Sequence, residues 1–405
     1  MMEGRSFAAE AGVSSLVDGL RVSIYTVTHV HLLWLASELG RIGALGCLIS
    51  AYPHSRLGKF GGYLKQDCVK TAFGVWPWLA GGRLRCPNWA SSGLKVISFL
   101  LNDRAASRFA PADCDVVVAT SGAYLYTLRR LAERGVKVIV DEPATHVGVR
   151  EALLKQEYER IGLRYRGEPR LLVRQALKEY GVAHQIQVGS WVAHGDFLES
   201  GFQLGRVVVN TYGVDLSRFR FEHRLPSGPR RVLFAGNLRV EKGGHLLLQA
   251  LSEMDCELWL AGSISEEGKM LIRRFWHGGD RLRLVGMLPS ERLAQLMSES
   301  DALILPSVQD GFGMVVAQAL KCGSPVVVST RAGASSLVKS GENGYTFTSG
   351  DAASLKGAVE AVLKLPTRER SFRLAVSESV GMLGDWWGYT ERFLVAAKSL
   401  LAVES

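Results

Sequence analysis

Two glycine-containing turns hold the residues of this sequence that are best suited to bind an anion. In the first, "PSVQDGFGMVVAQAL", Gly311, Phe312 and Gly313 lie between a buried strand pattern and an apolar helix pattern. Glycine lets backbone amides approach a ligand, and the start of a helix offers unpaired N–H groups and the positive end of its dipole. The pattern predicts a phosphate or diphosphate site, although a tight turn without a ligand would have the same sequence.

The second turn, in "FAGNLRVEKGGHLLL", also joins a strand pattern to a helix pattern. It contains Arg239, which can hold two phosphate oxygens, and Lys242, which can act on a phosphate as a point charge. A solvated basic loop is the simpler interpretation of this turn alone. Two such turns at the carboxyl ends of strands in one domain favour a shared diphosphate, which we expect both side chains to bind.

Apolar strand patterns separated by helix patterns run along the chain in two series, one before and one after a proline- and glycine-containing stretch at 226–229. Strands that are apolar throughout favour a parallel sheet covered by helices on both faces. The sequence therefore predicts an α/β protein with two doubly wound, Rossmann-like domains, residues 1–218 and 219–380. A ligand cleft is expected between the carboxyl ends of the two sheets. A final helix pattern lies within 381–405.

Composition narrows the class of protein without selecting its partner. The 405 residues carry a net charge of +9, and the mean hydropathy is +0.09. No apolar run reaches the length of a spanning helix, and the first residues do not have the pattern of a secretory signal. The six cysteines are scattered, which favours buried thiols in a reducing, cytoplasmic compartment. The positive charge permits nucleic acid, an anionic membrane surface or a phosphorylated substrate.

Five separated motifs occur in a characteristic order: "GNLRVEKG", "LWLAGS", "LVGMLP", "ESDALILPSVQDGFGMVVAQALKCGSPVVVSTRAG" and "GENGYTF". This order resembles the C-terminal, nucleotide-sugar-binding domain of family 4 glycosyltransferases, which have the GT-B fold. The resemblance is strong over about 182–347 and weak in the N-terminal half. It implies retaining transfer of a sugar from a nucleotide diphosphate sugar, with no metal ion or other cofactor. It also implies that the last helix folds back onto the N-terminal domain.

The resemblance assigns roles to an acidic pair that this sequence alters. Asp310 stands where the family usually has glutamate and is expected to contact hydroxyls of the donor sugar. Gln318 stands at the second position and is expected to contact the nucleotide ribose. Glutamine loses the charge, but it keeps a carbonyl acceptor and gains an amide donor, so binding of a ribose hydroxyl is still possible.

The remaining donor contacts also follow from the resemblance. Gly286, Met287 and Leu288 are expected around the nucleotide base. Gly236 and Asn237 belong to the nucleotide-binding strand end. Many relatives have an arginine in place of the asparagine, and Arg239 is the residue expected to supply that charge.

A histidine follows a strand pattern in the N-terminal half. In "VIVDEPATHVG", His146 is expected, from the resemblance, to face the donor sugar and to stabilise it or a developing charge. A histidine that packs or caps in its loop is the alternative. His29 and His31 lie in the first strand-to-helix loop, which lacks the glycines that relatives often have there.

Asp113 and Asp115 form a lone Asp-x-Asp pattern, which is a weak indication of a metal site. The pattern precedes a buried strand of the first domain, away from the two glycine turns. Lys242, Arg239 and the helix dipole can neutralise a leaving diphosphate without a metal ion. The sequence therefore predicts metal-independent transfer, in which the donor phosphate helps to take the acceptor's proton if the family resemblance holds.

Residues 53–108 mix basic and aromatic side chains and contain few acids. An anionic membrane surface or a lipid-linked acceptor would suit this mix, and so would an ordinary solvated face. The overall prediction is a cytoplasmic glycosyltransferase, peripheral to the membrane, that acts on a glycan or a lipid-linked acceptor in bacterial surface polysaccharide or glycolipid assembly. A non-catalytic partner subunit that binds nucleotide sugar is the alternative, and nucleic-acid binding rests on charge alone.

Overall fold

The computed structural model describes residues 19–27, 30–60, 63–78, 88–111, 113–221, 225–381 and 383–402. Two parallel sheets dominate it, one of seven strands and one of six. Each sheet has helices on both faces, so its central strands are buried on both sides. The predicted fold class, two Rossmann-like α/β domains, is confirmed.

The N-terminal sheet has the strand order β3-β2-β1-β4-β5-β6-β7, and its neighbouring strands pair in parallel. The strands are β1 (Val22–Thr26), β2 (Leu45–Ser50), β3 (Val69–Thr71), β4 (Val116–Thr120), β5 (Lys137–Glu142), β6 (Gln185–Val188) and β7 (Val207–Val209). The chain leaves β1 in both directions, so the switch point lies between β1 and β4. Ligands bind at such switch points beyond the carboxyl ends of the strands.

Six helices of the described N-terminal half cover this sheet or lie beside it. They are α1 (Val30–Arg41), α2 (Asn88–Ala106), α3 (Leu125–Ala132), α4 (Val147–Arg160), α5 (Arg170–Val182) and α6 (Trp191–Glu199). Helix α2 and strand β3 lie inside the basic and aromatic stretch 53–108, for which no helix or strand was predicted. Residues 61–62 and 79–87 of that stretch lie outside the described residues.

The C-terminal sheet has the strand order β10-β9-β8-β11-β12-β13, again with parallel neighbours. The strands are β8 (Arg231–Ala235), β9 (Glu257–Ala261), β10 (Leu282–Gly286), β11 (Ala302–Leu305), β12 (Val326–Ser329) and β13 (Gly344–Phe347). The helices are α7 (Gly244–Leu251), α8 (Glu266–Phe275), α9 (Ser290–Ser298), α10 (Met314–Lys321), α11 (Ala352–Lys364) and α12 (Arg370–Ser379).

The last helix, α13 (Trp386–Ala402), packs against α1 of the N-terminal domain. The rings of Trp386 and Trp34 lie nearly parallel with their centroids 5.7 Å apart. Gln187 in β6 donates a hydrogen bond of 2.8 Å from Nε2 to the hydroxyl of Tyr389. The buried side of α13 is therefore part of the N-terminal core, although the helix follows the C-terminal domain in the chain.

The two domains are joined by buried polar contacts as well as by the linker. Glu157 near the end of α4 pairs with His245 in α7, with Oε1 and Nε2 2.5 Å apart. Tyr158 donates its hydroxyl to Glu267 in α8 at 2.7 Å. These contacts attach α4 to the C-terminal domain, and they hold the carboxyl ends of the two sheets on either side of one cleft.

Candidate functional site

The loops that follow β8, β9, β10 and β11 border a cleft of about 510 Å³ between the domains. Pro143 and Tyr212 close it from the N-terminal side. We call this space the interdomain cleft. Eight residues predicted from the sequence to bind the donor line it: Gly236, Lys242, Met287, Leu288, Asp310, Phe312, Gly313 and Gln318.

The first glycine turn places the start of α10 at the interdomain cleft. Gly313 caps the helix in the left-handed conformation, with φ +88°, which favours glycine. The first amides of α10 have no acceptor within the helix, so they and the helix dipole favour an anion at this point. The predicted anion site therefore has the backbone that it needs.

Gly311 has a different neighbour from the one expected. A Cβ added there would lie 1.9 Å from the carbonyl oxygen of Pro143, which belongs to the other domain. Gly311 does not line the interdomain cleft. The expectation that this glycine is bare in order to admit a ligand is thus corrected: its missing side chain leaves room for the N-terminal domain.

Lys242 and Asp310 form an ion pair inside the cleft, with Nζ and Oδ2 2.7 Å apart. The lysine side chain is 35% exposed and the aspartate 16%, so solvent partly screens the pair. Burial would lower the pKa of Lys242, but the carboxylate of Asp310 outweighs it, and the pKa is raised. Lys242 is therefore a cation at neutral pH, and its partner in this structure is the carboxylate that the sequence assigned to the donor sugar.

Arg239, by contrast, does not reach the cleft wall. Its side chain is exposed, and its carbonyl oxygen accepts the amide of Gly244 at 2.8 Å, which shapes the turn before α7. Of the two basic side chains expected to share a diphosphate, the structure places Lys242 but not Arg239 in the cleft lining, and the role of Arg239 stays a prediction.

Some of the residues predicted to bind the nucleotide line the cleft, and others lie outside its lining. Met287 lines the cleft and is 81% exposed, so its side chain is available to a flat ligand at the rim. Asn237 lies outside the lining and accepts a hydrogen bond from the hydroxyl of Ser263. Gly286 also lies outside it, and its carbonyl oxygen accepts the amide of Gly262 at 2.8 Å.

His146 does not face the interdomain cleft. Its ring packs among aromatic side chains of the N-terminal core, with centroid distances of 5.1 Å to Phe197 and 5.5 Å to Tyr180. Burial lowers the pKa of His146, and Asp196 only partly opposes this. The expectation that His146 faces the donor is corrected. The backbone turns at the start of α4, and the imidazole points back into the domain, as in the alternative of a packing histidine.

One residue of the cleft wall, Tyr212, was not predicted from the sequence. Tyr212 lines the cleft, and its ring stacks on His31 with the centroids 4.5 Å apart. His31 Nε2 lies 2.6 Å from Oδ2 of Asp141 at the end of β5. The hydroxyl of Tyr212 is buried and has no hydrogen-bond partner among the described residues. The available signal was a polar aromatic residue just after the apolar strand pattern at 207–209.

A second, smaller pocket of about 250 Å³ opens at the carboxyl ends of β1, β4 and β5. We call it the N-domain pocket. Pro143 lines both this pocket and the interdomain cleft. Glu142 lies in its wall and accepts hydrogen bonds from the hydroxyls of Ser121 at 2.5 Å and Tyr180 at 2.6 Å.

The charges of the N-domain pocket are mixed. Burial raises the pKa of Glu142, although its hydrogen bonds act in the opposite direction. Burial would lower the pKa of Arg150, but Glu142 and other carboxylates outweigh it and raise that pKa. Nε of Arg150 has no hydrogen-bond partner within the described part of the chain. The pocket thus offers a donor group and several acceptors to a polar ligand beside the cleft.

The remaining expectations concern metals and membranes. Asp115 accepts the backbone amide of Arg21 at 2.7 Å, at the amino ends of β1 and β4 and so away from the cleft. No group of three or more His, Cys, Asp or Glu side chains in the described ranges is arranged to hold a metal ion. No helix in those ranges is long and apolar enough to cross a membrane.

Residues 216–376 match the family model described as Glycosyl transferases group 1. A glycogen synthase of Mycobacterium tuberculosis is 30% identical over 190 residues, which are 45% of this chain and 46% of that protein. The matched part thus spans just under half the length of this first curated relative. WcaL of Salmonella typhimurium is 22% identical over 344 residues, which are 81% of this chain and 78% of that protein. Its name describes it provisionally as a colanic acid biosynthesis glycosyltransferase.

Solved structures share the fold over nearly the whole chain. A sucrose-phosphate synthase from Thermosynechococcus elongatus superposes with a TM-score of 0.72 at 17% identity, covering 95% of this chain and 100% of that one. HepE from Anabaena, solved with UDP and glucose, gives a TM-score of 0.64 at 16% identity, covering 94% and 100%. The two-domain architecture is therefore the GT-B fold. Most of the residues that line the interdomain cleft lie in the part of the chain that matches the group 1 family model.

Proposed function

We propose that this protein is a glycosyltransferase that transfers a sugar from a nucleotide diphosphate sugar bound in the interdomain cleft. In enzyme classes this is a transferase of the EC 2.4 group, of the hexosyltransferase type. The observation that carries the proposal is the position of Lys242 and the start of α10 together in that cleft. A cation and a helix N-terminus on one wall suit a diphosphate, and the domain that holds them matches the group 1 model.

Donor binding begins with an exchange of partners. Lys242 leaves Asp310 for the diphosphate, because two phosphate groups and a helix N-terminus offer a denser charge than one carboxylate. Asp310 is then free to accept hydroxyls of the donor sugar. In this proposal the ion pair keeps the empty cleft electrostatically neutral, and the donor separates the two side chains.

The transfer step needs charge stabilisation more than a metal ion. The bond between the anomeric carbon and the diphosphate oxygen breaks, the acceptor oxygen forms the new bond, and the acceptor proton passes to the leaving phosphate. Lys242 and the amides of α10 stabilise the negative charge that develops on the diphosphate. The proposed transfer is metal-independent and retains the anomeric configuration.

The nucleotide is proposed to lie between Met287 and Leu288 at one wall and Gln318 at the other. The amide of Gln318 suits a ribose hydroxyl, since it both donates and accepts. HepE, which shares the fold, was solved with UDP and with UDP-glucose. We therefore propose uridine nucleotides as the first donors to test.

The acceptor is proposed to enter through the N-domain pocket, which meets the cleft at Pro143. Its mixed charges and hydrogen-bonding groups suit hydroxyls of a glycan or of the sugar on a lipid-linked acceptor. Such acceptors occur at the inner face of the bacterial membrane, so the proposal places the enzyme in the cytoplasm, peripheral to the membrane, in polysaccharide or glycolipid assembly.

The second candidate is a non-catalytic subunit that binds nucleotide sugar. It is favoured by the pairing of Asp310 with Lys242, by the loss of charge at Gln318 and by the inward position of His146. Such a protein would bind a donor in the same cleft without turning it over. It differs from the enzyme only in the chemical step, so binding data alone do not separate the two.

A thermal-shift screen tests the donor site. The protein is heated with UDP, GDP, ADP and CMP and with their common sugar conjugates, because a ligand that binds the native state raises its melting temperature by mass action. We expect one nucleotide diphosphate family to stabilise the wild type and to have a weaker effect on Lys242→Ala. No shift with any nucleotide, at low or high salt, would contradict the diphosphate site.

A further inference from the structure

Helix α2 exposes an apolar stripe on its outer side. Ile97, Leu100 and Leu101 are 57%, 42% and 55% exposed, and their spacing places them on one face of the helix. The opposite side of α2 is buried through Ser98 and Asn102. Single exposed apolar residues are ordinary, but three that are adjacent on one helix form a patch.

The segment around Gly74 packs on the buried side of α2, opposite the stripe, and carries two exposed aromatic side chains. Gly74 lies directly against α2, since a Cβ added there would lie 2.3 Å from the Cα of Asn102. Phe73 and Trp76, on either side of this contact, are 57% and 42% exposed, and their rings meet edge to face at 5.3 Å.

Arginines continue the same face toward the end of α2. Arg104 follows Leu101 by three residues, and its guanidinium lies over the ring of Tyr126 in α3 at 4.2 Å. Arg108 lies one turn further on and lines a cavity of about 410 Å³ together with Arg130 and Arg134.

No acidic side chain of the described residues lines that cavity. Asp103 of α2 is buried and accepts the amides of Tyr126 and Thr127, so it does not offset the arginines. Glu133 is the exposed acid closest in sequence to Arg134. The surface is therefore apolar at one end and strongly basic at the other.

We propose that this surface docks onto an anionic lipid bilayer. The docking surface comprises Ile97, Leu100, Leu101, Arg104, Arg108, Arg130 and Arg134. Its aliphatic side chains would enter the headgroup region, and the arginines would bind lipid phosphates around the cavity.

Two other occupants fit the surface less well. Nucleic acid would use the arginines but leave three aliphatic side chains in water, since it offers them no apolar partner. A second copy of the chain would cover the stripe, but a symmetric pairing about it would bring two sets of arginines close together. The bilayer is the partner that complements both ends of the surface.

The inner side of the same helix connects the docking surface to the proposed acceptor site. Lys95 and Phe99 of α2 line the N-domain pocket. A protein docked through the outer side of α2 would thus hold this pocket about one helix diameter, roughly 10 Å, from the lipid headgroups. This step rests on the proposed function, and it favours a lipid-linked acceptor over a soluble one.

Vesicle sedimentation tests the docking surface without any assay of transfer. The full chain is mixed with phosphatidylcholine vesicles, with or without phosphatidylglycerol, and the bound fraction is measured. We expect binding only to the anionic vesicles, and weaker binding as salt is raised. Leu100→Ser with Leu101→Ser should lower the partition coefficient about tenfold or more, and Arg108→Gln with Arg130→Gln by about fivefold per arginine.

Two matched variants control for general changes of the surface. Leu204→Ser alters a leucine that is 70% exposed elsewhere in the N-terminal half, and Arg292→Gln alters an exposed arginine of α9. Both should bind vesicles like the wild type. The altered side chains are all exposed, so each variant should also keep the wild-type melting temperature.

Three results would overturn the proposal. The first is a wild type that binds neither vesicle type. The second is binding of the α2 variants equal to that of the controls. The third is a dimer in light scattering that only the leucine variant dissociates. The donor screen is run on the same samples. If the wild type binds no vesicles but shows the nucleotide shifts, the docking surface alone is refuted. If it binds anionic vesicles but shows no nucleotide shift, the donor site alone is refuted.

Discussion

Replacement of Lys242 by alanine tests how the interdomain cleft holds a diphosphate. In the wild type Nζ of Lys242 is 2.7 Å from Asp310, in a partly solvated site. A hydrogen bond from a charged donor contributes about 1.5–3 kcal/mol. Before it reaches a phosphate, the lysine must leave an ion pair whose stabilisation is about 0–1 kcal/mol at this exposure.

The difference leaves about 2 kcal/mol of net binding free energy that depends on Lys242. Its removal should raise the dissociation constant of a nucleotide diphosphate roughly thirtyfold. Asp310→Asn should act in the opposite direction, because it releases Lys242 in the empty protein. That variant should bind the nucleotide diphosphate without a sugar as tightly as the wild type, or up to about fivefold more tightly.

Isothermal titration calorimetry with the nucleotide diphosphate selected by the thermal-shift screen measures both effects. Lys364→Ala, which removes an exposed lysine from α11, is the matched control and should bind like the wild type. A dissociation constant for Lys242→Ala within twofold of the wild type would refute the assignment. Equal weakening by Lys242→Ala and Asp310→Asn would refute the exchange of partners.

Three further predictions follow from particular contacts. Gly311→Ala places a Cβ against the carbonyl oxygen of Pro143, so the variant should hold the domains further apart. Sugar transfer should fall at least tenfold, while nucleotide affinity stays almost unchanged. An unchanged radius of gyration by small-angle scattering would contradict this prediction. Burial lowers the pKa of His146. Below about pH 6.5 the unfolded state therefore binds more protons than the folded state, and the free energy of unfolding decreases as the pH is lowered. His146→Gln should flatten that slope in pH-dependent melting, and an unaltered slope would contradict the burial argument. Burial would raise the pKa of Asp301, but hydrogen bonds from Arg368 and other donors lower it to about 2. This shift adds about 2 kcal/mol to the free energy of unfolding above pH 4, and the contribution disappears as the pH falls toward 2. Asp301→Asn should therefore be less stable than the wild type at pH 7 and nearly equal to it near pH 2 in urea titrations; a constant difference would count against this origin.

The sequence was sufficient to predict the two parallel sheets and most of the interdomain cleft. Strands such as Val116–Thr120 and Val326–Ser329 are apolar up to their last residue and buried along their whole length, which is the pattern of central parallel strands. The turn at Gly313 combines a strand end, a left-handed glycine and a helix start. Its suitability for an anion could therefore be predicted from a few neighbouring residues. Elements with weaker periodicity were missed: Val69–Thr71 and Gly344–Phe347 are short edge strands.

Helix α2 was missed for a related physical reason. Its apolar residues Ile97, Leu100 and Leu101 face outward, while Ser98 and Asn102 are buried against neighbouring elements. Hydrophobic periodicity predicts a helix from an apolar face turned inward and a polar face turned outward, and this segment has no such division. The reversal of the usual pattern is also what makes the outer side of α2 a candidate docking surface.

The corrected site residues depend on contacts that no local pattern contains. The imidazole of His146 could turn toward either the cleft or the domain core, and packing against Phe197 and Tyr180 decided the direction. The missing side chain of Gly311 leaves room for Pro143, a residue more than 150 positions away in the sequence. Sequence spacing identified the loops, but the fold decided which side chains meet.

Transfer of label from the donor tests the central claim most directly. The wild type and Lys242→Ala are incubated with the radiolabelled nucleotide sugar that the screen selects, together with a lipid and glycan extract of bacterial membranes, and the label in acceptor products is counted. The account predicts label in a chromatographically distinct product with the wild type and a strong loss with the variant. Label that remains on the nucleotide sugar, although the wild type binds it, would contradict the enzymatic assignment and favour the non-catalytic binding subunit.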